Sequence, residues 1–78
     1  MRLDDRQIFL RKLGKRIRQL RIERGLRQED FDDGTEMGIT SRGFQEIEYG
    51  HKDVRIYTLC KIAQRLKVTL SDLLDLGQ

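Results

Sequence analysis

One cysteine, Cys60, is all that 78 residues offer for cross-linking, so no intramolecular disulfide can form. A lone cysteine fits a reducing cytosol. Its place one residue after Leu59 suggests a half-buried packing role, not a redox sensor. Histidine is as scarce: His51 stands alone, without a second histidine or a nearby cysteine, which argues against a metal site. No apolar run approaches the roughly 20 residues that cross a bilayer, and no signal peptide is evident. The expected location is therefore the cytoplasm, with no membrane partner. There is no nucleophile–histidine set and no phosphate-cradling glycine loop; Gly34, Gly38 and Gly43 lack that spacing. A chain this short encloses no large pocket. An enzyme is the weakest reading, and no cofactor is expected. Alternating strand patterns, repeats and low-complexity segments are also missing.

What remains is charge and helical periodicity. Charged residues make up 37% of the chain and hydrophobic residues another 37%, and the apolar ones are periodic, so the chain is expected to fold. Residues 1–78 should form a single domain with a small core. The net charge of +3 is unevenly spread: +7 over residues 1–27, −6 over 28–50 and +2 over 51–78.

The periodicity predicts five helices and an all-α fold. The first covers 5–24, with Leu13, Ile17 and Leu20 as its inner stripe and Phe9 extending the stripe back one turn. Asp4 and Asp5 suit its N-terminus, and Gly25 suits its end. Its basic residues Arg6, Arg11, Lys12, Lys15, Arg16 and Arg18 project away from the stripe, as a solvated face or as phosphate contacts. A short second helix covers 28–33 with Phe31 buried; Arg27 before it is a poor capping residue. Gly34 ends it, and 35–39 is turn or irregular. Thr40 caps a third helix, 41–49, with Phe44 and Ile47 inward. Gly43 inside it costs roughly 1 kcal/mol relative to alanine, which admits either a close approach to DNA or drift. The fourth helix, 56–66, carries Leu59, Ile62, Ala63 and Leu66. Thr69 caps the fifth, 70–76, in which Asp72 completes a capping box. Two short helices around a glycine-containing turn over residues 26–50 have the layout of a helix-turn-helix, whose second helix lies in the DNA major groove.

Three segments carry a family likeness: LGKRIRQLRIERGLRQEDF, ITSRGFQEIEYG and TLCKIAQRLKVTLSDLL. In order and spacing they resemble the Xre/lambda-repressor-like helix-turn-helix family. The likeness covers about residues 13–74, leaving 1–12 as an N-terminal extension of the first helix. It implies a compact five-helix domain whose second and third helices form the motif. It places Gln28 as a phosphate contact at a helix N-terminus. It places Thr40, Ser41 and Arg42 where the recognition helix meets phosphate and base edges, with Gln45 and Glu46 one turn on. Arg21 and Glu48 match a pair that bridges the first and third helices. Leu20, Phe31, Phe44, Ile47, Leu59 and Ile62 match core positions. Four departures stand out. The second-to-third-helix connection is about two residues longer. Arg27 replaces a capping serine, Val54 a common proline, and Gly43 a side chain that often reaches DNA.

Each candidate has a plainer alternative. Arg42, the only cation in residues 28–50, suits bidentate contact with guanine or a surface pair with Glu46. Ser41 and Thr40 suit phosphate donation or helix capping; Glu46 suits cytosine or solvent. Lys52 is a phosphate candidate in the following loop, and Tyr49 suits DNA backbone or the core edge. Leu70, Leu73, Leu74 and Leu76 crowd a helix with one inward face, so part of the set is expected to form a dimer interface. The expected function is a homodimeric, sequence-specific transcriptional regulator on double-stranded DNA. The alternative is a protein-interaction module or antitoxin-type protein that meets a partner through the acidic block Glu29, Asp30, Asp32, Asp33 and Glu36.

Overall fold

The computed structural model describes residues 4–32, 34 and 39–77. Helix α1 spans Asp5–Glu23. Asp4 starts it: its carboxylate accepts the Gln7 N–H at 2.8 Å, and the Gln7 side chain accepts the Asp4 N–H at 3.3 Å, a reciprocal capping box. Leu10, Leu13, Gly14, Ile17 and Leu20 form the buried stripe. Phe9, expected on that stripe, is 47% exposed. It lies eight positions from Ile17, about 80° round the helix, whereas Leu10 lies seven away and about 20° off. Gly25 ends the helix at φ +68°, its N–H donating to Ile22 O while Leu26 N–H reaches back to Arg21 O. Closing backbone bonds of this kind favour glycine in the left-handed region.

The expected second helix is a single 3-10 turn, Gln28–Phe31. Two acidic side chains set its two ends. Asp30 accepts the Arg27 N–H at 2.6 Å, a substitute for the missing side-chain cap. Asp32, in extended conformation, accepts the Gly34 N–H at 3.1 Å. The turn therefore stops at Phe31, two residues short of the expected end. The expected irregular stretch 35–38, together with Asp33, lies outside the described residues; Ile39 beyond it is buried.

Helix α2, Ser41–Glu48, is capped by Thr40, whose hydroxyl accepts the Gly43 N–H at 2.9 Å. Phe44 and Ile47 are buried as expected, and so is Glu48. Phe31 stacks on Phe44 with ring centroids 4.1 Å apart, so the 3-10 turn and α2 share one aromatic seam. Helix α3, Ile56–Leu66, buries the expected Leu59, Ile62, Ala63 and Leu66. Cys60, expected to be half-buried, is exposed, because it follows Leu59 on the outward side of the helix.

Helix α4 is one turn, Leu70–Leu73, capped by Thr69. It stops three residues short of the expected end. In a longer helix the Asp72 carbonyl would take the Leu76 N–H; here it accepts the Arg16 guanidinium, at 2.9 and 3.3 Å. Leu73 is fully buried, Leu70 and Leu76 pack against the core, and only Leu74 is exposed. The fold is thus all-α, with four α-helices and a 3-10 turn where five helices were expected, and without strands among the described residues. Among the described residues no helix is long and apolar enough to cross a membrane. One cluster, from Leu13 through Phe44 and Ile62 to Leu73, joins all the elements.

Candidate nucleic-acid interface

The surface around α2 is fixed by how closely α2 approaches α1. Gly14 lies on the buried stripe of α1, and a Cβ there would sit 2.3 Å from the Glu48 carbonyl oxygen and 2.6 Å from that of Ile47. Gly50, at φ +76°, makes a second close approach: its Cβ would lie 2.9 Å from the Arg11 Cα. Both contacts involve backbone, so no rotamer change would make room. Only glycine lets the C-terminal end of α2 settle against α1.

A buried charge cluster locks this arrangement. Glu48 is 1% exposed at the side chain, and Arg21 Nε donates to it at 2.6 Å. A second Arg21 nitrogen donates to the other carboxylate oxygen at 3.2 Å, giving a bidentate pair. The expected bridge between the first and third helices is therefore present. Arg21 also donates to the Leu26 carbonyl at 3.0 Å, and Gln28 Nε2 donates to Glu48 at 2.9 Å. All buried side-chain polar atoms among the described residues are hydrogen-bonded. Gln28, placed by resemblance on phosphate, thus spends one of its two amide donors on Glu48.

Asp32 holds the other end of α2. Its carboxylate accepts the Ser41 N–H at 3.2 Å, and negative charge at a helix N-terminus is favourable. Two of the acids that suggested a partner-binding surface, Asp30 and Asp32, are therefore engaged within the fold. Glu29 pairs with Arg27 at 3.1 Å.

What α2 presents outward is polar. Ser41, Arg42, Gln45, Glu46, Tyr49 and His51 line one shallow concavity with Gln28. Arg42 is 89% exposed and lies 3.9 Å from Glu46, a surface pair of little strength. Gln45 donates to the Tyr49 hydroxyl at 3.3 Å, and Tyr49 is itself exposed. Thr40 and Lys52 are brought together on the opposite flank of α2, in a groove that also touches Gly43. Gly43 faces that groove, with the Lys52 ammonium 3.7 Å from where a Cβ would stand. The exposed row of α2 is therefore bordered by Gln28 on one side and Lys52 on the other.

Sequence reasoning missed Gly14, Asp32 and the Gln28–Glu48 bond. Gly14 carried a signal, a glycine at a stripe position between Leu13 and Ile17. Asp32 and Gln28 act over separations of nine and twenty residues, which no local spacing reveals. Among the described residues no group of histidines, cysteines and acids is arranged to hold a metal ion.

No curated protein and no solved structure matches the chain. A family model, helix-turn-helix, matches residues 17–73. That span runs from the middle of α1 to the end of α4 and contains the 3-10 turn, α2 and the Arg21–Glu48 lock. The chain belongs to the Xre/lambda-repressor-like helix-turn-helix family, a family of DNA-binding regulators.

Proposed function

We propose that the protein is a sequence-specific transcriptional regulator that binds double-stranded DNA as a homodimer on a pseudo-palindromic operator. One observation carries the reading: a short helix, anchored at its base by a buried ion pair, presents an outward polar row of exposed Arg42 between half-buried Ser41 and Gln45. Anchoring below and polarity above are what a major-groove reading helix needs. In this reading Arg42 and Gln45 contact bases, Ser41 and Glu46 support them, and Thr40, Lys52 and Gln28 hold phosphates on the two flanks. Gln28 serves both Glu48 and the DNA, since its amide group carries a second N–H and its backbone N–H opens the 3-10 turn, and both can donate to a phosphate.

A single short helix reads few base pairs, so two copies are needed for a site of useful length. Two-fold related copies place their half-sites about one helical turn apart. The exposed Leu74, beside Ile8 and Phe9 of α1, supplies the apolar surface for such pairing. Selection of bound duplexes from a random pool tests the function. The expected result is an enriched inverted repeat with half-sites about 10 base pairs apart. A pool without enrichment at low salt would overturn the reading.

A further inference from the structure

The unit that reads DNA is itself acidic: residues 28–50 carry −6. Affinity for DNA leans on phosphate neutralisation, so the cations must come from elsewhere. Helix α1 is the main source, yet much of its charge is engaged. Arg6 pairs with Asp53, Arg16 donates to the Asp72 carbonyl, and Arg21 is locked to Glu48. Arg11, Lys15 and Arg18 are all exposed, and none makes an ion pair with a described residue. Their spacing of four and three places them on one flank of the helix, over a length of about 10 Å.

That flank is continuous with the reading surface. Arg18 lines the same cleft as Gln28, Ser41, Gln45 and Tyr49. Arg11 packs on Gly50, two residues after α2, through the close approach that glycine alone permits. Arg11 and Arg18 therefore lie on the side of α1 that borders α2, while Lys15 between them stands on the outermost face and also lines a concavity with Lys12, Arg16 and Leu76. Its first two members precede residue 17, where the family match begins.

We infer that Arg11, Lys15 and Arg18 form a phosphate-binding flank, which seats α1 on the DNA backbone beside the groove that α2 reads. The inference rests on the proposed DNA-binding function and adds a second, sequence-independent contact to it. An acidic protein surface is the competing occupant. The fold disfavours pairing with a second copy's acidic segment, since Asp30 and Asp32 are already hydrogen-bonded internally.

The test compares three proteins on the selected duplex and on a scrambled duplex, between about 50 and 200 mM salt. These are the unsubstituted chain, the stripe variant Arg11→Gln/Lys15→Gln/Arg18→Gln, and an equal-charge control, Lys12→Gln/Arg65→Gln/Lys67→Gln. Each phosphate contact contributes about 0.9 to the slope of log K against log salt. The stripe variant should lose roughly 2 to 3 from that slope, and up to about eightfold in affinity per residue at 0.1 M salt. Both duplexes should be affected alike, and the preferred sequence should stay the same. The control should keep its slope within about one unit, and Arg11→Lys/Arg18→Lys should restore nearly all binding. Equal slopes for stripe variant and control, or an unchanged stripe variant, would overturn the inference while leaving the proposed function standing. An unsubstituted chain that binds neither duplex would instead overturn the proposed function. Matching circular-dichroism melting curves show that the exposed substitutions leave the fold intact.

Discussion

Glu48 is the residue on which the reading surface depends. Its carboxylate is 1% exposed and takes two donors from Arg21 and one from Gln28. Removing one partner of such a cluster leaves a buried charge uncompensated, at about 3–5 kcal/mol. Arg21→Met should therefore consume a large share of the 5–15 kcal/mol that holds a typical domain together. Arg21→Met/Glu48→Leu should recover most of the loss, because the stranded charge goes with its partner. Urea unfolding of both variants checks this; a loss under about 1 kcal/mol for Arg21→Met would mean the pair behaves as a surface one. Arg42 offers the contrast. At 89% exposure, Arg42→Ala should change stability by less than about 0.5 kcal/mol, yet weaken specific DNA binding by about 1–3 kcal/mol and relax one base pair of the preferred site. Gln28→Ala should do both kinds of damage. It loses a hydrogen bond to a charged group, about 1.5–3 kcal/mol, and it weakens binding to every sequence. Unfolding curves set beside binding titrations separate the two residues, and Gln28→Ala with unaltered stability would show that its bond to Glu48 carries no weight. The Arg21–Glu48 pair was legible through family resemblance. Gln28's second partner was not, because a lone glutamine at a helix start reads as a ligand group until the fold brings Glu48 beneath it.

At the scale of the elements, legibility followed length. The stripes of α1 and α3 repeat over three or more turns, and their inner residues were readable apart from the one-position error at Phe9. Phe31 and the Thr69 cap were readable too, but the extents of the 3-10 turn and α4 were not, since each is a single turn whose end is set by competing hydrogen bonds. Asp32 on the Gly34 N–H ends the first of these, and Arg16 on the Asp72 carbonyl ends the second. The close approach of α1 to α2 is also an element-scale property, and it gives a prediction that runs against helix propensity. Gly14→Ala should gain about 1 kcal/mol of intrinsic helix preference. The new methyl, however, would meet the Glu48 and Ile47 carbonyl oxygens at 2.3 and 2.6 Å. Both are backbone atoms, so the two helices must separate, an overpacking that typically costs 1–3 kcal/mol or more. The expected outcome is net destabilisation together with weaker DNA binding, because α2 is displaced from its seat. Gly43→Ala makes the control. Its nearest neighbours are the Thr40 hydroxyl at 3.1 Å and the Lys52 ammonium at 3.7 Å, and both are side-chain atoms. Thermal melting should rank Gly14→Ala well below Gly43→Ala. The reverse order would show that the contact between the helices is looser than its geometry implies.

At the scale of the whole molecule, the proposed homodimer raises the question of which surface would join two copies. Sequence alone pointed to four leucines, but the fold divides them. Leu73 is fully buried and Leu70 and Leu76 lean on the core, while Leu74 is exposed. What the sequence did not show is that Leu74 shares a concavity with Ile8 and Phe9, residues some sixty-five positions earlier. Phe9 misses the core stripe by a fraction of a turn and so adds an aromatic face to this end of the molecule. Dimerisation through this apolar patch should persist at high salt, because burial is not screened, whereas an assembly built on charge should fall apart as salt rises. Phe9→Asp and Leu74→Asp should each give monomers that stay folded, since a charge at either partly exposed position can reach water in the single chain. Leu73→Asp should instead unfold the domain, as a charge forced into the core. Operator affinity should fall in the two monomeric variants, because each then contributes one half-site at a time, while affinity for an isolated half-site should be retained. Sedimentation at low and high salt, beside titrations on the full inverted repeat and on a single half-site, reads all of these. A salt-sensitive assembly that survives Leu74→Asp would move the interface to the charged surfaces. A chain that stays monomeric on its inverted repeat would leave the patch without a role in DNA binding.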